Sequence, residues 1–207
     1  MFRAYSKRGR VTAEFSRDEF EDNISEMRAE WTFAKFPYLT RYAFPEGIML
    51  VGALSRTFQE GGVLDDPDLV NFDLTEQVRD RALLSLESFD SCRLLEIFWA
   101  AKQILRLVDE VNLARLSTEL NPGVSGQGFG VLEAPRGVLM HSYLVNRGCI
   151  ERMRLLVATQ FNNAFINLLI RDLVERHLEG NSLSEEGERL IGRCIRIFDP
   201  CLSCATH

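Results

Sequence analysis

The chain has 207 residues, 46% hydrophobic and 26% charged, which fits one globular domain spanning residues 1–207 or a large fragment of a bigger one. Its 24 basic and 30 acidic residues leave a net charge of −6, so no basic field is available to hold a nucleic-acid backbone. The longest apolar runs, such as Leu94–Ala101, are too short to span a bilayer.

The first sixteen residues read as a short hairpin or an extended entry: Phe2–Tyr5, a turn around Arg8-Gly9-Arg10, then Val11–Phe15. No apolar segment follows the basic cluster of Arg3, Lys7, Arg8 and Arg10, so no signal peptide is expected. Ser16 and Glu19 form a capping-box pattern that predicts a helix over about Arg17–Glu30, with Phe20, Ile24 and Met27 on one face. Pro37, Pro45, Gly52, Gly61, Gly62 and Pro67 predict irregular chain over 31–73. Residues 75–117 are strongly helical, with Thr75 as N-cap and a break at Ser88 or Asp90. The second piece, from Leu94 to Val108, is apolar on most sides and is expected to be buried between neighbours.

Asn121–Gly130 reads as a glycine-rich loop. It lacks the spacing and the preceding strand of a dinucleotide site. Three short strands are predicted over Gly130–Glu133, Val138–Val145 and Ile150–Val157, with turns at Pro135-Arg136-Gly137 and Asn146-Arg147-Gly148. Helices follow over about Asn162–Leu178 and Ser184–Phe198. The expected fold is mainly α, a helical bundle with a small antiparallel β element around 130–157.

Five cysteines, Cys92, Cys149, Cys194, Cys201 and Cys204, make an odd count without a disulfide framework. That favours a reducing, cytoplasmic setting, with thiols used as ligands or as small core residues. Cys194 reads as core. The informative pair is in the closing string Asp199-Pro200-Cys201-Leu202-Ser203-Cys204-Ala205-Thr206-His207. A redox Cys-x-x-Cys opens a helix, and with three residues left after Cys204 no helix is expected. Two thiolates at this spacing can chelate a soft or borderline cation or bridge two metals. The plainer alternative is a pair of small residues near a terminus.

Two other segments carry candidate chemistry. In Glu133-Ala134-Pro135-Arg136-Gly137-Val138-Leu139-Met140-His141, Arg136 is either a turn residue or a fixed set of donors. His141 is either a core histidine or a proton relay. Leu155-Leu156-Val157-Ala158-Thr159 reads by itself as a strand end.

Taken together, these three segments resemble the large subunit of nickel–iron hydrogenases. There the motifs Glu-Ala-Pro-Arg-Gly and Asp-Pro-Cys-x-x-Cys-x-x-His occur in the same order. The resemblance continues at Asn162 and Asn163, and Lys35–Leu39 resembles a mid-chain segment of the soluble cytoplasmic branch, linked to deazaflavin, heterodisulfide or NAD. It covers nearly the whole chain and implies the C-terminal portion of the large-subunit fold.

The resemblance implies roles residue by residue. Cys201 would be a terminal nickel ligand, and Cys204 would bridge nickel and iron. Arg136 would face the carbon monoxide and cyanide ligands of iron, and Ala158 and Thr159 would hold another iron-bound cyanide. Ala158 stands where many members have proline. Asp199 would lie close to the metals without ligating them. His207 and the Leu155 carbonyl would ligate magnesium. Catalysis would fall on Arg136, Cys201 and Asp199.

The family's Arg-x-Cys-Gly-x-Cys pair and two N-terminal glutamates are absent from this sequence. The expected function is therefore the catalytic fragment of a split hydrogenase that cleaves dihydrogen reversibly and heterolytically. A partner chain would carry the missing motif. Electrons would pass to an iron–sulfur small subunit, then to electron-acceptor subunits. The alternatives are a hydrogenase-derived structural or binding subunit without a nickel–iron centre, and a lone thiol or zinc protein. No nucleic-acid partner and no membrane span are expected.

Overall fold

The structure is a computed structural model, and it describes residues 2–5, 11–16, 19–57, 62–69, 78, 86–110 and 123–206. The N-terminal hairpin forms as its alternation predicts: β1 (Phe2–Tyr5) pairs antiparallel with β2 (Val11–Phe15), placing Phe2 opposite Phe15. Their rings stack at 5.3 Å.

The helix expected over 17–30 does not form. Glu19 does accept the Ser16 N–H at 2.8 Å, as the capping pattern requires. The helix α1 is nevertheless only one turn, Phe20–Asn23, and Ile24–Arg28 continues as strand β3 against β4 (Lys35–Leu39). Pairing with a strand that buries Phe36 and Leu39 outweighs a propensity preference worth only tenths of a kcal/mol per residue, about 0.7 at most. Arg154 holds the junction. It bonds Glu21 at 2.7 Å, Glu26 at 3.2 Å and the Ile24 carbonyl at 2.6 Å, with its guanidinium 4.9 Å from the Phe20 ring centre.

Helix α2 (Ala53–Thr57) lies in the segment expected to be irregular, followed by a 3-10 turn at Val63–Asp65. Helix α3 (Leu86–Glu110) runs through Ser88 and Asp90 without the expected break. The expected cap Thr75 and residues 111–117 lie outside the described residues.

The main sheet has the order β5-β6-β7, all antiparallel: β5 (Gly126–Ala134), β6 (Gly137–Asn146) and β7 (Cys149–Leu156). The predicted strands are all present, but β5 takes in most of the described part of the expected glycine loop. Its ladder pairs Gly126 with Val145 and continues to Ala134 opposite Gly137. A Cβ at Gly126, Gly128 or Gly130 would meet nothing within 4 Å, so the strand loses no packing by carrying glycine there.

The second of the last two helices matches its predicted position, and the first begins four residues before Asn162, taking in Ala158 and Thr159, which were expected to end a strand. The two helices are α4 (Ala158–His177) and α5 (Glu185–Phe198), joined by the short pair β8 (Leu178–Glu179) and β9 (Ser182–Leu183). Ser184 caps α5 by accepting the Gly187 N–H, and Glu185, Glu186 and Glu188 occupy its first turn.

Helix covers 47% and strand 31% of the described residues, so the expected mainly helical bundle is corrected to a mixed architecture. Strand was under-read because β3, β4 and the start of β5 have no strand pattern of their own and are strands only through their pairing. Two cores form. One joins α2, α3, α4 and α5 through Leu54, Phe89, Cys92, Leu95, Ile166, Cys194 and Phe198. The other joins the hairpin to the main sheet through Phe15, Phe20, Ile24, Val138, Leu156 and Phe161. Helix α4 serves both, with Phe161 in the second and Ile166 and Leu173 in the first.

Cys92 and Cys194 are fully buried, and burial pushes each thiol up to about 11, so both are neutral packing residues. Cys149 is exposed. No helix of the described residues is long and apolar enough to cross a membrane.

Candidate metal centre

The closing segment is aimed by the end of α5. Phe198 is anchored between Phe89 and Phe165, with ring centres 5.0 and 5.9 Å away. Asp199 then adopts a left-handed conformation (φ 45°, ψ 57°), and its N–H closes the helix on the Ile195 carbonyl at 2.9 Å. Aspartate is among the few residues besides glycine that tolerate this turn, and Pro200 cannot continue a helix.

The chain then crosses the start of α4, where the Cys201 N–H donates to the buried Thr159 Oγ1 at 3.1 Å. Cys201 heads a single helical turn, α6 (Leu202–Ala205), and buried Ala205 closes it by donating to the Cys201 carbonyl at 3.2 Å. The expectation of no helix here is corrected. The turn starts between the two cysteines, so it needs no chain beyond Cys204.

One helical turn brings the two cysteines to a Cα separation of 5.3 Å, and their sulfurs are joined as a disulfide. That pairing departs from the expectation of free thiols, since helical spacing places both sulfurs on one side. Metal ligands must be thiolates, so the bond has to be reduced before either sulfur binds a metal.

Arg136 arrives from another direction, on the tight turn between β5 and β6. A Cβ on Gly137 (φ 134°) would overlap Val51, so the turn can approach the chain before α2 only with glycine there. Asn162, buried on α4, bridges the two segments. Its Nδ2 donates to the Arg136 carbonyl at 3.2 Å, and its Oδ1 accepts the Val51 N–H at 2.9 Å. The Arg136 guanidinium grips Asp199 twice, donating from Nε to its carbonyl at 2.6 Å and from Nη2 to its carboxylate at 2.5 Å. Two of the donors expected to face the iron ligands are thus held by Asp199.

Behind the turn stands a group that the sequence reading missed. Arg56 on α2 makes a bidentate pair with Glu96 of α3 at 2.5 and 2.8 Å. It also bonds Glu133 at 2.8 Å and the carbonyls of Ala134 and Pro135 at 2.8 and 3.2 Å. Burial opposes the charge on Arg56, but its bonds to Glu96 and Glu133 prevail and raise its pKa. Glu96 could have been suspected, because a carboxylate between Leu95 and Ile97 in an apolar helix usually has a cationic partner. Nothing local marks Arg56.

The structure thus brings together Arg136, Asp199, Thr159 and Cys201 from segments 63 and 42 residues apart, with Cys204 beside Cys201 and Ala158 beside Thr159 at the start of α4. Thr159 holds the Cys201 backbone, a task the sequence reading did not assign to it. Leu155 lies on β7 opposite His141, whose Nδ1 lies 2.9 Å from the Tyr143 hydroxyl. His207 lies outside the described residues. Gln160 spends its Oε1 on the Val157 N–H at 2.8 Å, while its buried Nε2 has no hydrogen-bond partner among the described residues.

Among the described residues no group of three or more histidine, cysteine, aspartate or glutamate side chains is arranged to hold a metal. The donor set therefore amounts to one soft pair, Cys201 and Cys204. That fits half of a thiolate-rich nickel–iron site, and it does not form a hard-cation site for magnesium.

A family model described as nickel-dependent hydrogenase matches residues 13–207. The chain is 35% identical over 205 residues to the NAD-reducing hydrogenase HoxS subunit beta of Cupriavidus necator, covering 95% of this chain and 42% of that subunit. It is 28% identical to an F420-non-reducing hydrogenase of Methanothermobacter thermautotrophicus, covering 99% of this chain and 44% of that one. A crystal structure of an NAD+-reducing NiFe hydrogenase in the H2-reduced state matches with a TM-score of 0.81 at 28% identity, covering 99% of this chain and 46% of that chain. The chain thus spans less than half the length of these relatives.

Proposed function

Because the chain belongs to the nickel-dependent hydrogenase large-subunit family, we propose that it supplies the two-thiolate C-terminal half of a nickel–iron centre for reversible heterolytic cleavage of dihydrogen. The supporting observation is the convergence of Arg136, Asp199, Thr159 and Cys201 around the Cys201–Cys204 pair. The metal pair, when bound, supplies the Lewis acidity that polarises dihydrogen. Cys201 and Cys204, reduced in a cytoplasmic setting, hold it. Thr159 fixes the backbone of Cys201, and so the direction of its sulfur.

Arg136 would present the donors not taken by Asp199 to the ligands of iron. Of Arg136 and Cys201, the Cys201 sulfur is the better proton acceptor, since a guanidinium does not readily lose its proton. Ala158 and Thr159, at the start of α4, would hold a cyanide ligand of iron. The other two thiolates, and the glutamate that passes the proton on, come from protein outside this sequence. The named relatives are subunits of multi-subunit hydrogenases. Electrons accordingly leave through an iron–sulfur subunit. The magnesium roles of His207 and the Leu155 carbonyl rest on the resemblance alone.

The absence of the second thiolate pair from this sequence favours a second reading, a hydrogenase-derived structural subunit that holds no metal. An infrared spectrum of the natively, anaerobically purified complex separates the two. Bands of metal-bound carbon monoxide and cyanide, lost together with nickel in Cys204→Ser, support the catalytic reading. An intact complex with a blank spectrum overturns it.

A further inference from the structure

Helix α3 has two apolar faces. One carries Phe89, Cys92 and Leu95 into the core shared with α4 and α5. The other points away from the rest of the described residues and carries Leu94, Ile97, Ala101, Ile104, Leu105 and Val108, all exposed. The large ones are 51% to 74% accessible, and the sequence reading had expected them to be buried.

Their spacing is i, i+3, i+7, i+10, i+11 and i+14, a heptad-like stripe. Such a stripe fits a second helix, because side chains at these positions stand in one row over about 20 Å at a rise of ~1.5 Å per residue. Beyond Trp99 the side of α3 opposite the stripe turns polar. Lys102 bonds Asp66 at 2.7 Å, and Arg106 pairs with Glu110 at 3.4 Å. Over this last stretch the apolar face of the helix looks outward. A contiguous apolar stripe of this size marks an interaction surface.

Its position narrows the occupant. On the flank of α3 bordering Ile97, Arg93 bonds the Ile197 carbonyl, two residues before Asp199. Glu96 reaches, through Arg56, the Pro135 carbonyl next to Arg136. The start of the stripe therefore borders the two segments that build the half-complete donor set. Protein that completes that set would reach the same flank. The relatives are single subunits of which this chain matches 42% to 46%, so more than half of such a subunit is left to pack against it.

We propose that the outer face of α3 docks an amphipathic helix from the large-subunit portion lying outside this sequence, the portion that also carries the second thiolate pair. The inference rests on the function proposed above for the identity of that portion. A second copy of this chain would cover the stripe without supplying the missing ligands.

The test places a photoreactive benzoylphenylalanine at Ile97 or at Leu105 in the natively purified complex, followed by irradiation and mass spectrometry. Both side chains are exposed in the described structure, so the replacement leaves the core intact. Cross-links into the polypeptide segment bearing Arg-x-Cys-Gly-x-Cys are expected. An Ile97→Glu, Leu105→Glu double variant should lower recovery of that segment by at least about tenfold, the effect of ~1.4 kcal/mol. Cross-links to a second copy or to the iron–sulfur subunit, or none at all, overturn the proposal. The infrared spectrum of the same preparation keeps the two readings apart. Bands present with cross-links elsewhere sink the docking surface alone, and cross-links to the motif segment without bands sink the catalytic reading alone.

Discussion

Replacing Arg56 by methionine should cost about 2–4 kcal/mol of stability, more than any exposed ion pair in this chain. The side chains of Arg56 and Glu96 are 17% and 21% accessible, so their bidentate bond is largely shielded from water. Losing one partner of a buried pair costs about 3–5 kcal/mol, because the other charge stays behind. The upper end is reduced here because a fifth of the Glu96 side chain reaches solvent. Glu133, at 53% accessible, adds at most about 1 kcal/mol. The Ala134 and Pro135 carbonyls can exchange their bonds for water.

The assay is urea denaturation of the purified protein, followed by the fluorescence of Trp99, which packs against the helical core. It is run on Arg56→Met, Glu96→Met and the double variant. The double variant should be more stable than the two single losses added together, by at least about 1 kcal/mol, since it leaves no stranded charge. A single Arg56→Met loss below about 0.5 kcal/mol, or strict additivity, would refute the argument that this arginine anchors the turn.

Three further outcomes are expected. Arg136→Lys should leave nickel content intact and slow hydrogen turnover by at least about tenfold, because one point charge replaces a fork held on Asp199; unchanged turnover would make Arg136 a turn residue only. Thr159→Val removes the acceptor for the Cys201 N–H, a bond worth about 1 kcal/mol, so nickel should be lost to a chelator about fivefold faster. Equal loss rates would show that this bond does not orient the sulfur. For Cys92 and Cys194 the folded pKa, about 11, lies above the ordinary 9.0, so the fold favours the neutral thiols. Their contribution is whole below pH 9.0 and is lost as pH rises through about 11. The urea midpoint should fall over this window more steeply than in a Cys92→Ala, Cys194→Ala variant. Parallel slopes would show that these thiols are not what the alkaline loss reflects.

How much was legible in the chain varies by element. Helices α4 and α5 were placed well because their apolar periodicity and the Ser184 cap are local signals. The turns at Pro135–Gly137 and Asn146–Gly148 were readable for the same reason. Ile24–Arg28 was misread because its five residues suit a helix face as well as a strand, and only β4 decides between them. Gly126–Gly130 was misread because glycine has no strand preference of its own, while the ladder to β6 supplies one.

By itself, the sequence determined the chemistry available to this protein: two thiols three residues apart, an arginine in a turn, a threonine at the end of a strand-like run, and their order. Side-chain identity and short-range spacing carry that information, and neither depends on the rest of the chain. Only the tertiary structure decided that Arg136 pairs with Asp199, that Thr159 holds Cys201, and that Arg56 braces the arginine turn through Glu96. It also decided that the second apolar face of α3 looks outward. The three pairings join segments from 40 to 79 residues apart, so packing, and no local preference, selects them.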